Sequence, residues 1–545
     1  MTFFFLRLLG IQFLRADFLS RLAARQHTYY MELEPKRGGI YDRNMRPLAV
    51  NVATYSLYAV PPDVEDKAGT ADRLAQLLGM DAGEIRGRLS RPKQFVWIAR
   101  KLDWEKMKEI SDLKIAGLAF LKESRRSYPN ASLASQLLGF AGLDNIGLEG
   151  LEKTYDAYLR GTPGWTYLLR DARQRPLAVT DIVQPPVDGY SLVLTIDEVI
   201  QFIAERELDQ AFAKYKAKGA LCVVMDVATG AILACVSRPA YDLNAPGTFP
   251  MEARRNRVVT DFFEPGSVFK IVTASAALNE KAFGLGDKIF CENGTYRVAN
   301  HTLHDVHEYG WLPFLEVIGY SSNIGTTKIA QKLGEKPVHD YAAAFGFGAP
   351  TGSGISGEVG GILKPVSQWS KTSIGAVPIG QEVCVTGLQL AAAISAIANG
   401  GVLMKPYVVQ AIVDKQGEVL HRFGPEGVRR VITEETAASM RQILAWVVEN
   451  GTGRPARSKQ AVFAGKTGTA QKVEPNGTYS HSKFMASFIG FAPAEAPRIA
   501  VVVVVDEPRP YYYGGVVAAP VFKAVAEDVL KYLEFSGNAA YASAP

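Results

Sequence analysis

The stretch EPGSVFK, Glu264 to Lys270, sets a serine and a lysine three residues apart at the head of an apolar run, IVTASAALNE. Pro265 and Gly266 punctuate the chain and the residues after them favour helix, so a helix is expected to open with Ser267 in its first turn. At about 3.6 residues per turn, Lys270 then shares a helix face with Ser267. A hydroxyl nucleophile beside an amine base is the chemistry that pair could do, provided the lysine gives up its proton. Burial in an apolar helix favours that, because desolvation lowers a lysine pKa. SxxK also occurs at Ser111–Lys114, in the polar run EISDLKIAG, and at Ser480–Lys483, in the expected hairpin loop NGTYSHSKF. Of these, only Ser267 opens a helix able to bury its lysine.

Two further motifs follow in order. YSSNIG supplies Ser321 and Asn323, and the strand-like AGKTGTA supplies Lys466, Thr467, Gly468 and Thr469. A second SxN, Ser536–Asn538, is expected in a tail beyond the last helix. Other chemistries fail on spacing. AGKTGTA holds the GKT of a phosphate-binding loop, but Gln460 occupies the position where that loop needs its first glycine. A serine hydrolase elbow needs GxSxG, and EPGSVFK has Pro265 and Phe269 at the two glycine positions. His301, His304 and His307 sit with Asp305 and Glu308 in NHTLHDVHEYG, without HExxH spacing. That segment is read as solvated surface, and neither a metal nor a cofactor is expected.

The elements that must position these groups belong to a chain of 545 residues, 48% hydrophobic and 21% charged, which is a folded protein of more than one domain. A net charge of +5 over that length, without a basic cluster, gives no reason to expect a nucleic-acid partner. Cys222, Cys235, Cys291 and Cys384 show no CxxC pairing and read as small buried residues. MTFFFLRLLGIQFL is apolar but interrupted by Arg7 and short of a membrane span, so residues 1–25 read as the outer end of an anchor and a juxtamembrane helix. VQPPVDG, Val183 to Gly189, reads as a joint between an elongated mixed domain, 26–187, and a second domain, 188–545. In the second, two strands around Ala228-Thr229-Gly230, a long helical middle, three late strands and a terminal helix predict one antiparallel sheet of about five strands flanked by helices, an α+β fold.

SxxK on a helix, SxN and then KTG on a strand resemble the signature of penicillin-binding proteins. With RGGIYDRNMRPLAVN, GLEGLEKTYDAYLRGTPG, PAYDLN, NRVVTDFFEPGSVFK and PIGQEVCVTGLQLAAAISAIANGG, nearly the whole chain is similar to a class B penicillin-binding protein of the cell-division type, a peptidoglycan D,D-transpeptidase. The resemblance implies that Ser267 attacks the penultimate D-Ala carbonyl of a stem peptide, with Lys270 as base and the backbone N–H groups of Ser267 and Thr469 as oxyanion donors. It implies that Ser321 relays a proton, Asn323 holds the peptide, Lys466 supplies positive potential, and Thr467 and Thr469 bind the terminal carboxylate. Gly468 would let the substrate lie flat on the strand. β-Lactams would acylate Ser267. The implied partners are stem peptides and, through the N-terminal domain, a membrane-embedded glycan polymerase with division proteins, on the outer face of the cell membrane. A β-lactamase or β-lactam sensor of the same fold, or a noncatalytic scaffold, are the alternatives. Two expectations concern the first domain. A fragment from Asp188 should keep the whole site, and Arg37, Asp42 and Arg43 should orient a partner rather than fill a core.

Overall fold

A computed structural model describes residues 28–93, 95–170 and 176–542. The proposed anchor, 1–25, lies outside the described residues. Among the described residues no helix is long and apolar enough to cross a membrane.

The N-terminal region is built on a sheet that does not end at the expected joint. Strands β1 (Ile40–Tyr41), β2 (Pro47–Ala59), β3 (Val96–Leu102) and β4 (Leu118–Ser127) are joined by β5 (Ser191–Leu194), which lies parallel to β1 with Ile40 opposite Leu192. On its other edge β5 pairs with the strand Val409–Val413, far along the second domain. Ile40, Leu48, Leu137, Phe140 and Leu151 share one buried cluster with Leu192 and with residues of the catalytic half such as Val268 and Leu388.

This changes the reading of the first domain. Arg37 is 2% exposed. Its guanidinium pairs with Glu152 and Asp156, both at 2.6 Å, and donates to the carbonyls of Asn145 and Glu152 at 2.8 Å. Asp42 is fully buried. One of its oxygens accepts from the amides of Asn44 and Arg46, the other from that of Glu198 at a helix start. Arg37 and Asp42 therefore hold an interior together, contrary to their expected role. A buried charge must be compensated: Arg37 is paired and hydrogen-bonded, and Asp42 is held by three backbone amides. Arg43 alone of the three is exposed. A cut at Asp188 would also strip β1 from β5 and uncover the shared cluster.

Beyond β5, α1 (Glu198–Lys214) is capped by Asp197, which accepts from the amides of Val199 and Ile200. Strands β6 (Gly219–Asp226) and β7 (Ile232–Arg238) form the hairpin expected around Thr229-Gly230. The helical middle carries α2 (Lys270–Asn279), α3 (Asn323–Leu333), α4 (Gly387–Ala398) and α5 (Glu434–Glu449). In α4, Thr386 and Gln389 close a reciprocal capping box, satisfying two donors at the helix start. The chain then returns to the sheet as β8 (Ala464–Val473), β9 (Tyr479–Ala492) and β10 (Ile499–Asp506), and ends on α6 (Ala519–Ala542). Ser536 and Asn538 fall on α6 rather than in a tail.

The five strands pair antiparallel in the order β7-β6-β10-β9-β8. RIAVVVVVDEP shows no alternation because both faces of β10 are covered. Val502 and Val504 join the cluster that holds α4, while Val501, Val503 and Val505 join the one that holds α1 and α6. The result is a three-layer core, with β8 at one edge facing the helical subdomain.

Candidate active site

Ser267 lies on a single 3-10 turn, Gly266–Phe269, that leads directly into α2. Gly266 has φ +57°, a conformation in which a side chain is strained, and its backbone N–H donates to the Gly380 carbonyl at 3.1 Å. The turn holds Ser267 at the floor of an open cleft of about 900 Å³, which Ser321, Asn323, Thr467 and Thr469 also line.

Lys270 is wholly buried one turn further on. Its Nζ meets the Ser321 carbonyl oxygen at 2.6 Å, Asn323 Oδ1 at 2.8 Å and Ser321 Oγ at 3.1 Å. Burial pulls its pKa down from 10.5 to about 7, against a smaller upward pull from Asp305. A neutral Lys270 that donates its two hydrogens to the carbonyl and the amide oxygen keeps its lone pair for a hydroxyl. That is what a general base needs.

Ser321 has φ +63° and stands between two amines. Lys466 Nζ donates to Ser321 Oγ at 2.9 Å and to the Thr467 carbonyl at 3.2 Å. Lys466 is also fully buried, and burial together with the neighbouring Lys270 holds its pKa well below the ordinary lysine value. Two ammonium ions across one hydroxyl would repel each other in a low-dielectric setting. Charging both at once is therefore disfavoured, with Ser321 Oγ within hydrogen-bond distance of each amine.

Strand alternation sorts the KTGT segment onto two faces. Thr467 and Thr469 line the cleft; Thr467 Oγ1 lies 2.7 Å from Thr452 Oγ1, and Thr469 Oγ1 accepts from the Gly514 amide at 3.0 Å. Gly468 points the other way. A Cβ there would sit 2.3 Å from Ser487 Oγ, 2.8 Å from Val268 Cγ1 and 3.0 Å from the Pro265 carbonyl oxygen. The glycine lets β8 approach the nucleophile turn, which is a different reason from the one read in the sequence.

Asp305 is the residue that sequence reasoning passed over. Its Oδ2 accepts from Ser322 Oγ at 2.5 Å, and its Oδ1 accepts from the amides of Asn323 at 2.5 Å and Ile324 at 3.2 Å. Ser322 Oγ in turn accepts from the Gly325 amide, so the N-terminus of α3 is capped twice, with a carboxylate at its positive end. That double cap fixes Ser321 and Asn323 on either side of it. Asn323 Nδ2 also donates to the His304 carbonyl at 3.0 Å. The histidine-rich stretch thus matters through its carboxylate and backbone. Its His301 and His304 side chains are exposed on a hairpin strand, and among the described residues no three His, Cys, Asp or Glu side chains converge as a metal site.

The rival serines do not join this site. Ser111 ends the helix Trp104–Ser111 in the first domain. Ser480 Oγ accepts from the amides of Ser482 and Lys483, and Lys483 is paired with Glu474 at 2.9 Å. Cys222, Cys235 and Cys291 are buried, Cys384 is half-buried, and all four are free thiols.

Comparison with known proteins gives the same picture. Residues 220–527 match the penicillin binding protein transpeptidase domain family, and residues 32–194 match the penicillin-binding protein dimerisation domain family. The chain is 37% identical to stage V sporulation protein D of Bacillus subtilis, over 97% of this chain and 83% of that protein. It is 34% identical to the peptidoglycan D,D-transpeptidase FtsI of Escherichia coli, over 98% and 90%, and 34% identical to the probable peptidoglycan D,D-transpeptidase PenA of Neisseria gonorrhoeae, over 97% and 90%. Among solved structures it resembles penicillin binding protein 2X of Streptococcus thermophilus, with a TM-score of 0.78 at 26% identity over 92% of this chain and 80% of that one. It also resembles the mycobacterial penicillin binding protein 3 complexed with aztreonam, with a TM-score of 0.73 at 28% identity over 92% and 97%.

Proposed function

We propose the reaction from the premise that this chain belongs to the penicillin-binding protein transpeptidase family. It is a peptidoglycan D,D-transpeptidase of the serine type, and β-lactams bind it as substrate mimics. The observation that carries the mechanism is the arrangement around Ser321, where two buried amines share one hydroxyl in the cleft of Ser267.

In this reading Ser267 Oγ attacks the penultimate D-Ala carbonyl and its proton passes to Lys270 Nζ, giving a tetrahedral oxyanion. The backbone N–H groups of Ser267 and Thr469 receive that charge. The proton moves through Ser321 to the leaving D-Ala nitrogen, the C–N bond breaks and an ester forms on Ser267. The amine of a second stem peptide attacks the ester, loses its proton to the same relay and returns the serine hydroxyl. Asn323 orients the peptide, and Thr467 and Thr469 take the terminal carboxylate. Gly468 acts on the reaction by setting the distance between β8 and the turn.

We assign the chain to septal wall synthesis, held at the outer face of the cell membrane by an anchor in residues 1–25. The 26–187 region would be a pedestal that meets a membrane-embedded glycan polymerase, and 188–545 the catalytic domain. Purified protein given a donor peptide ending in D-Ala-D-Ala and an amine acceptor should release D-Ala and form the cross-linked dimer. Donor hydrolysis with no dimer at any acceptor concentration would contradict transpeptidation.

A further inference from the structure

The cleft around Ser267 carries its permanent charge at one place. Among the described residues lining it, Arg454 is the one arginine or lysine, and no aspartate or glutamate lines it. Arg454 opens the 3-10 turn Arg454–Ala456 and is exposed. The turn is anchored by the fully buried Ala456, whose amide donates to the Gly453 carbonyl at 2.8 Å. Two residues before Arg454, the Thr452 hydroxyl is in hydrogen-bond contact with that of Thr467. Nearby Arg457 is paired with Glu449 at 2.7 Å, whereas the Arg454 guanidinium has no hydrogen-bond or ion-pair partner among the described residues.

The other cations near the site are turned away from a ligand. Lys270 and Lys466 lie behind the cleft wall, with their hydrogens committed to Ser321, Asn323 and the Thr467 carbonyl. An anion entering in front of Thr467 and Thr469 therefore meets hydroxyls and one unpartnered guanidinium. A guanidinium presents a planar fork of donors that matches a carboxylate, and it keeps its charge at any working pH.

We propose that Arg454 is a specificity-determining residue, which pairs with the terminal carboxylate of the peptide to be cleaved and with the matching carboxylate of a β-lactam. The proposal rests on the reading above, that Ser267 is acylated by such ligands. It assigns to Arg454 the fixed charge expected of Lys466, and leaves Lys466 to the proton relay.

The test compares wild-type protein with Arg454→Gln, using a penicillin with its free carboxylate and the same penicillin as its neutral carboxamide. Second-order acylation rates are measured for all four combinations. The variant should lose about tenfold with the carboxylate, the scale of one partly solvated charge-assisted contact, and less than twofold with the amide. The amide rate also reports that the variant is folded with its nucleophile intact. Equal losses with both ligands, or none with either, would overturn the role of Arg454. A wild type acylated by neither would instead remove the premise, and the proposal with it.

Discussion

Lys270 reconciles two opposed demands, since a side chain long enough to reach the nucleophile is ordinarily charged. At a pKa of 10.5 only about one lysine in three thousand is neutral at pH 7, whereas near 7 about half are. Acylation of Ser267 should therefore climb about tenfold per pH unit below 7 and level off above it, because the neutral form is the base. The same depression works against folding. The unfolded chain binds the proton more tightly between about 7 and 10.5, so this group's cost is full below 7 and fades as pH rises through 10.5. Asp305 raises the lysine pKa, so Asp305→Asn should move the acylation midpoint to lower pH and cost about 1 kcal/mol through the weakened α3 cap. An unmoved midpoint would show that Asp305 does not govern the lysine. The residues legible in the sequence are those carried by short motifs, Ser267 and Lys270 in SxxK and Thr467 and Thr469 in KTGT, although their contacts to Ser321, Thr452 and Gly514 lie elsewhere in the chain. Asp305 was not legible, because it reaches Ser322 and Asn323 from a hairpin upstream and carries no periodic signal.

At the scale of elements, the hydrophobic pattern announces the strands and helices but not their order. The ATG turn marks the β6–β7 hairpin, and the valine run of β10 marks a strand covered on both faces. That β10 enters between β6 and β9 follows from which faces the helices leave open, a tertiary choice. The meeting of β8 with the nucleophile turn has the same origin. Gly468 and Val268 are far apart in sequence, and only the packed structure shows that they compete for space. Gly468→Ala should overpack this contact at about 1–3 kcal/mol, read as a lower urea midpoint. Because the obstacle is the Ser267 turn itself, acylation should slow at least tenfold while the protein stays folded. A variant that loses stability but acylates at the wild-type rate would separate Gly468 from nucleophile placement.

Across the whole molecule, the two regions named by the family matches share structure rather than meeting at a linker. β5, the last strand of the first match, pairs with Val409–Val413 inside the second, and one buried cluster runs from Leu48 to Val268 and beyond. The sequence shows VQPPVDG as a joint because turn residues mark local bends; they carry no information about what the strands on either side pair with. Arg37 is the sharpest case, since a basic residue near a membrane-proximal end resembles a docking charge until its carboxylate partners are seen. Arg37→Ala removes the close partner of Asp156 and one of the two partners of Glu152 and should cost about 3 kcal/mol in chemical denaturation, although Arg160 stays 3.9 Å from Asp156 and Arg126 still pairs with Glu152 at 2.6 Å. A loss under about 0.5 kcal/mol, the scale of an ordinary surface substitution, would return Arg37 to the partner-docking role. The activity of the whole molecule depends on one covalent bond, from Ser267 to the acyl donor. The intact chain should be treated with penicillin, its mass measured and the adduct mapped by peptide sequencing. One penicillin per chain is predicted, on the peptide containing Ser267, with no adduct in Ser267→Ala or Lys270→Ala at the same exposure. A stable adduct on Ser111, Ser480 or Ser321, or undiminished labelling of Ser267→Ala, would contradict it.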